Sequence, residues 1–357
     1  MIYIHVPFCK SFCTYCDFYS ETVCAGKGGR VMECWADELI AEIRSRRSET
    51  DATLSLNTLY IGGGTPSVLP PVLLGRIVDA LPGGPYEEFT VEVNPEDIVE
   101  KAPDYIKALR ALGVNRISMG VQSLDDGILR WMNRRHDAAR AREAFRLLRE
   151  GGFDNISVDL IFGFPMLTGD ILARTLEEII SWHPEHVSAY QLSIEEGSAL
   201  AQMASDGRFR EAPETLCAEQ YAAICSALSA AGYRHYEISN WALPSREARH
   251  NSAYWTRLPY VGFGPGAHSF DGTRRRANSQ TLSGWTPSFE TLTPQEEREE
   301  RIMLGLRTAG GIAESLCDAG AVERLIAEGA LVRTGNANIR IPEERFFVSD
   351  GIIEELI

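Results

Sequence analysis

A length of 357 residues exceeds the usual size of one compact core and predicts a large domain with a smaller one appended. With 44% hydrophobic and 24% charged residues the composition excludes a disordered or fibrous chain, and a net charge of −15 argues against nucleic acid and anionic membrane surfaces as partners. Apolar runs such as VDLIFGFPML over 158–167 are too short and too broken for a transmembrane helix, and MIYIHVPFCK has no signal-peptide pattern, so a cytoplasmic protein is expected.

In chain order, strands are predicted at 1–6, 57–62, 88–93, 114–121, 155–162 and 186–194, with a further one at 233–239. Helical segments separate them. Repeated βα units of this kind predict an α/β fold with a parallel sheet, and continuous apolar stretches in several strands predict cover on both faces. Residues 24–32, CAGKGGRVM, read as a mobile loop. From Pro103 a helix carries Tyr105, Ile106, Leu109 and Leu112 on one face and stops at Gly113. Another runs from its N-cap Asp137 to Gly151, with Ala141, Phe145 and Leu148 inward and Arg140, Arg142, Arg146 and Arg149 on a solvated face.

Beyond about residue 240 the alternation fails, which divides the chain into 1–240, a Gly- and aromatic-rich connecting segment at 241–293, and a small α+β domain at 294–357. The last reads as a helix (AVERLIAEGALV), two strands around TGNAN, a strand (RFFV) and a helix (GIIEELI), an order like that of a winged helix.

Of the eight cysteines, Cys9, Cys13 and Cys16 form CxxxCxxC directly after the first strand. Three thiolates can hold three corners of a 4Fe-4S cubane and leave the fourth iron open to an external ligand. A closed zinc site is the alternative, with Asp17 or His5 as fourth ligand. Phe8, Phe12, Tyr15 and Phe18 are placed to shield a cluster from water. Cys24, Cys34, Cys217, Cys225 and Cys317 have no metal-like grouping and read as loop or core thiols.

Gly62, Gly63, Gly64, Thr65 and Pro66 close the second strand, where glycines let backbone approach a ligand, or simply form a tight turn. The GK[ST] ending of a phosphate loop is absent. Polar residues recur at the C-terminal ends of successive strands: Glu92, Asn94, Gln122 and Asp159.

These features together resemble the radical SAM superfamily, whose fold is a partial or full (β/α) barrel; the resemblance implies a partial (β/α)6 barrel over 1–240. The resemblance implies a 4Fe-4S cluster on Cys9, Cys13 and Cys16, and S-adenosylmethionine held by Tyr3, Gly63, Gly64, Thr65, Glu92, Gln122, Arg134 and Asp159, with Arg135 beside Arg134 as a rival. From IYIHVPFC to EERIMLGLR the chain is similar to proteins related to the oxygen-independent coproporphyrinogen III oxidases. Within that group it is closest to the heme-chaperone branch: Phe18 stands where the oxidase has another cysteine, and the oxidase's N-terminal extension is missing.

That branch's HNxxYW motif is matched by His250, Asn251, Tyr254 and Trp255, preceded by Arg249. It implies heme binding, with His250 as axial ligand, His268 as rival, aromatics stacking on the macrocycle and arginine pairing with a propionate. The resemblance implies delivery of heme to respiratory hemoproteins and a homodimer. The competing expectation is an enzyme, the oxidase, removing propionate carboxylates by radical chemistry. The unit from Gly310 onward looks shorter than in the relatives.

Overall fold

The computed structural model describes residues 1–22, 28–53 and 56–357. Six strands, β1 (Ile2–Val6), β2 (Thr58–Gly63), β3 (Glu88–Val93), β4 (Arg116–Gln122), β5 (Ile156–Phe162) and β6 (His186–Gln191), pair parallel in the order in which the chain lays them down. A hairpin of β7 (Arg234–Glu237) and β8 (Asn240–Ala242) continues the sheet antiparallel past β6, and β9 (Val261–Phe263) joins β1 in parallel at the other side. The nine strands form an open sheet whose two outermost members, β9 and β7, do not meet. This is the expected α/β architecture of a partial, open barrel, with helices on the outer face.

The strands are not apolar on both faces. Along β4, Ile117, Met119 and Val121 are fully buried, whereas Arg116, Ser118, Gly120 and Gln122 turn to a cavity. β5 repeats the pattern, with Ile156 and Val158 outward and Asp159 facing the same cavity. Period-two alternation thus gives the sheet a greasy outside and a polar inside.

A helix occupies Gly28–Ser45, so residues 28–32 of the expected loop are its first turns; residues 24–27 lie outside the described residues. Met32, Trp35, Ala36, Leu39, Ile40 and Ile43 recur at helical spacing and are buried against the sheet, which outweighs the weak propensity of Gly28 and Gly29. The helix Asp104–Ala111 ends as expected before Gly113 at φ +90°, and in Ala138–Glu150 the Asp137 side chain accepts from Arg140 N–H. The arginines of that second helix are exposed or half-buried and paired with carboxylates, Arg142 with Glu178 and Arg149 with Glu185 among them.

Beyond β9 the chain builds a small antiparallel sheet of β10 (His268–Phe270), β11 (Arg274–Asn278) and β12 (Pro287–Thr291), which the sequence reading passed over as connecting segment. The C-terminal region places Ile312–Ala313, Asn338–Arg340 and Val332–Thr334 in a three-stranded sheet, with a helix at Ala319–Ala327. RFFV is not a strand. Residues Glu343–Val348 form a 3-10 helix after Pro342, whose carbonyl accepts from Arg345 N–H, and Phe346 is fully buried by that turn.

Candidate functional site

At the C-terminal ends of β2 to β6 lies a cavity of about 610 Å³. The loop after β1 brings Cys9, Cys13 and Cys16 to its wall, the end of β2 brings Gly63, Gly64 and Thr65, and later strands and their loops bring Glu92, Gln122, Arg134 and Asp159. The cysteine loop is tied to the neighbouring elements: Thr14 N–H donates to Met132 O at 3.0 Å, its hydroxyl to Trp131 O at 2.8 Å, and Asn133 Nδ2 to Phe12 O at 2.6 Å.

Cys9 Sγ lies 3.4 Å from Thr65 Oγ1, and Arg134 donates from Nη1 to Cys13 Sγ at 3.4 Å and from Nη2 to Gly120 O at 2.6 Å. Arg134 therefore belongs to this site, whereas Arg135 pairs with Glu96 and Asp97. Burial raises the thiol pKa of Cys9 and pushes that of Cys16 up to about 12. Among the described residues no three His, Cys, Asp or Glu side chains gather closely enough for a single metal ion. His5 is no candidate for the fourth position, its ring nitrogens engaging Tyr19 O at 2.8 Å and Tyr3 Oη at 3.1 Å. The three thiols on one wall fit a cluster, which spreads its cysteines more widely than one ion does.

Of the aromatics expected to shield this loop, Phe8 is fully buried against Trp35, but Phe12 is 50% and Phe18 66% exposed. They stand at the mouth of the cavity and leave it open to water on that side.

The glycine turn is required by the protein's own packing. Gly63 adopts φ +107°, and a Cβ there would stand 2.7 Å from the His5 ring; one on Gly64 would stand 2.8 Å from Phe8 O. Deeper in, Glu92 accepts from Tyr60 Oη at 2.7 Å and from Gly63 N–H at 3.2 Å, and burial pushes its carboxyl up to about 7. Asp159 accepts from Ser118 Oγ at 2.9 Å and Ser157 Oγ at 3.1 Å; burial raises it too. Gln122 has φ +66° beside a register shift in β4, a bulge at the rim of the cavity. Tyr3 does not line the cavity; it stacks 6.1 Å from Tyr60 behind it.

The HNxxYW residues are not gathered there. Arg249–Trp255 is a short helix whose first two N–H groups, of Arg249 and His250, donate to the Glu88 carboxylate at 2.8 Å each. His250 is 1% exposed, with its ring nitrogens 2.9 Å from Thr58 Oγ1 and 3.0 Å from Tyr254 Oη. Thr58 and Glu88 begin β2 and β3, so His250 sits at the opposite end of the strands from the cysteines. The expectation that it faces a heme iron does not match this placement, because both its nitrogens are already engaged in the interior. Asn251 alone of the motif reaches the cavity, Tyr254 and Trp255 are half-buried, and His268 is exposed at the start of β10.

The sequence reading missed Tyr60, Arg116, Ser118, Ser188 and Tyr190, which also line the cavity. The signal was there in the alternation of R-x-S-x-G-x-Q along β4.

Residues 3–179 match the family model described as the radical SAM superfamily. The chain is 35% identical to "Heme chaperone HemW" of Mycobacterium tuberculosis over 92% of this chain and 86% of that protein. It is 34% identical to the protein of the same name from Bacillus subtilis, over 87% and 84%. The mouse "Radical S-adenosyl methionine domain-containing protein 1, mitochondrial" is 32% identical over 100% of this chain and 87% of its own length. Among solved structures, Escherichia coli coproporphyrinogen III oxidase (HemN), a radical SAM enzyme, superposes with a TM-score of 0.80 at 20% identity, covering 99% of this chain and 89% of that one, a likeness of fold. The chain belongs to the HemW family of the radical SAM superfamily.

Proposed function

We propose that this protein binds heme and hands it to hemoproteins, respiratory ones in particular, while carrying a 4Fe-4S cluster on Cys9, Cys13 and Cys16 and S-adenosylmethionine in the adjoining cavity. The observation that carries the reading is the relationship, over nearly its whole length, to proteins named heme chaperones.

In this reading Glu92 and Asp159 accept hydrogen bonds from ribose and amino groups, Gln122 and Arg134 hold the polar end of the ligand, and Gly63, Gly64 and Thr65 provide backbone close to it. Tyr3 supports Tyr60 from behind. The cluster, when bound, supplies one-electron chemistry. The partial barrel, which runs past residue 240 to take in β8 and β9, is the cofactor domain; the rest of 241–293 and 294–357 are assigned to heme uptake and delivery. Exposed His268 is the imidazole open to a heme iron, and His250 supports the fold beneath the barrel.

Anaerobic reconstitution followed by parallel assays tests the proposal. Three results are expected: iron and sulfide in cluster stoichiometry, retention of S-adenosylmethionine, and a Soret shift on adding hemin. A dithionite-reduced sample that converts coproporphyrinogen to protoporphyrinogen, with no Soret shift, would overturn it in favour of the oxidase.

A further inference from the structure

One charge inside the cavity has no partner. Arg116 begins β4 and lines the cavity with Ser118, Gly120 and Gln122, the residues that follow it on the same face. Its side chain is 1% exposed, yet Nε is buried without a hydrogen-bond partner and the guanidinium forms no ion pair among the described residues. Thr90, beside it in register on β3, has a buried hydroxyl that is also without a partner. Burying a guanidinium is costly unless something offsets the charge, so the surroundings or a ligand must supply that compensation.

The surroundings hold two opposite charges nearer the mouth. Glu92 lies across from Ser118 on one flanking strand and Asp159 across from Gly120 on the other. Their close hydrogen bonds are to neutral donors, Tyr60 and the Gly63 N–H for Glu92 and two serines for Asp159. None of those donors neutralises the two negative charges. Between groups recessed in protein, charges act without contact because screening is weaker than in bulk water. Arg116 lines the same cavity as both carboxylates and favours their charged forms; Arg134, the other cation near Asp159, is already bonded to Cys13 Sγ and Gly120 O, and Tyr3, Tyr60, Tyr190 and His186 supply no positive charge.

We propose that Arg116 is a positioning residue, the internal cation that keeps Glu92 and Asp159 ionised and hence able to accept hydrogen bonds from the hydroxyl and amino groups of a nucleoside ligand. The inference rests on the reading that these two carboxylates hold S-adenosylmethionine. The place of Arg116 on the first residue of the strand puts the charge beneath the ligand, where it biases the carboxylates without competing for the ligand's own groups.

Equilibrium dialysis of S-adenosylmethionine against anaerobically reconstituted wild-type, Arg116→Gln and Arg116→Lys proteins, matched for iron content, tests this across roughly pH 6 to 9. Arg116→Gln is expected to bind about tenfold or more weakly near neutrality, to recover as the pH rises, and to be rescued by Arg116→Lys. Arg116→Gln binding like wild type at every pH would overturn the proposal. So would a loss of equal size at every pH, because that is the mark of a merely structural role. Failure of the wild-type protein to bind at any pH is a different result, which sinks the assignment of the cavity itself.

Discussion

The imidazole of His250 lies 2.9 Å from the hydroxyl of Thr58, inside the foot of the barrel and at the other end of the strands from the cysteine loop. A histidine that joins two elements in this way acts on the fold before it acts on a ligand. His250→Ala removes a fully buried ring, leaves Thr58 and Tyr254 without their partner, and creates a cavity. A loss of about 2–4 kcal/mol follows from those terms. Denaturant unfolding measures that loss. The heme bound per folded chain is expected to stay unchanged, and loss of the Soret band from fully folded His250→Ala would refute the structural assignment.

Arg134 joins the cysteine loop to β4 by bonding Cys13 Sγ and Gly120 O at once. Arg134→Gln gives up the charge beside Cys13. Iron content after reconstitution should fall to less than half of wild type, while thermal stability of the apo chain changes little. Equal iron retention would show that the loop is held by its backbone bonds alone.

The Gly63–Gly64 turn leaves no room for a methyl group against His5 or the Phe8 carbonyl, and Gly63 also needs a left-handed φ. Gly64→Ala meets backbone, which cannot swing aside as a side chain does. It is expected to cost about 2–3 kcal/mol and to abolish S-adenosylmethionine binding. Unfolding curves and dialysis on one sample read both effects.

Glu237 gives a pH signature free of the cofactors. Burial pushes its carboxyl from the ordinary 4.5 to about 7. The folded state therefore holds a proton that the unfolded state has already released. Stability from this group is intact below about pH 4.5, is lost as the pH rises to about 7, and stays lost above that. Glu237→Gln removes the dependence and should be more stable than wild type above that window, by an amount on the order of 3 kcal/mol, with no gain at the acid end. Parallel stability curves for the two proteins would expose the opposite sign.

Much of this was readable beforehand, for reasons that also mark the limits. The strands at 57–62, 88–93 and 155–162 declare themselves by β-branched and aromatic runs bounded by turn residues, and they fall at Thr58–Gly63, Glu88–Val93 and Ile156–Phe162. The helix at Gly28–Ser45 hid behind its glycine-rich start, since its apolar stripe begins only at Met32. RFFV has strand-forming residues, but Pro342 and the burial of Phe346 turn it into a 3-10 helix. Motifs named the cysteines and the glycine turn because their chemistry is local. The HNxxYW motif gave residue types without saying which end of the barrel they occupy, and Arg116 looked like any charged residue until the pleat pointed it inward.

Heme transfer tests the central claim most directly. Reconstituted protein is loaded with hemin, freed of excess, and mixed with a heme-free recipient hemoprotein, with separation of the two and absorbance of each followed over time. The account predicts that the Soret absorbance leaves this protein and appears in the recipient faster than from hemin bound to albumin. Heme that never binds, or that binds and stays while coproporphyrinogen is converted instead, would contradict it.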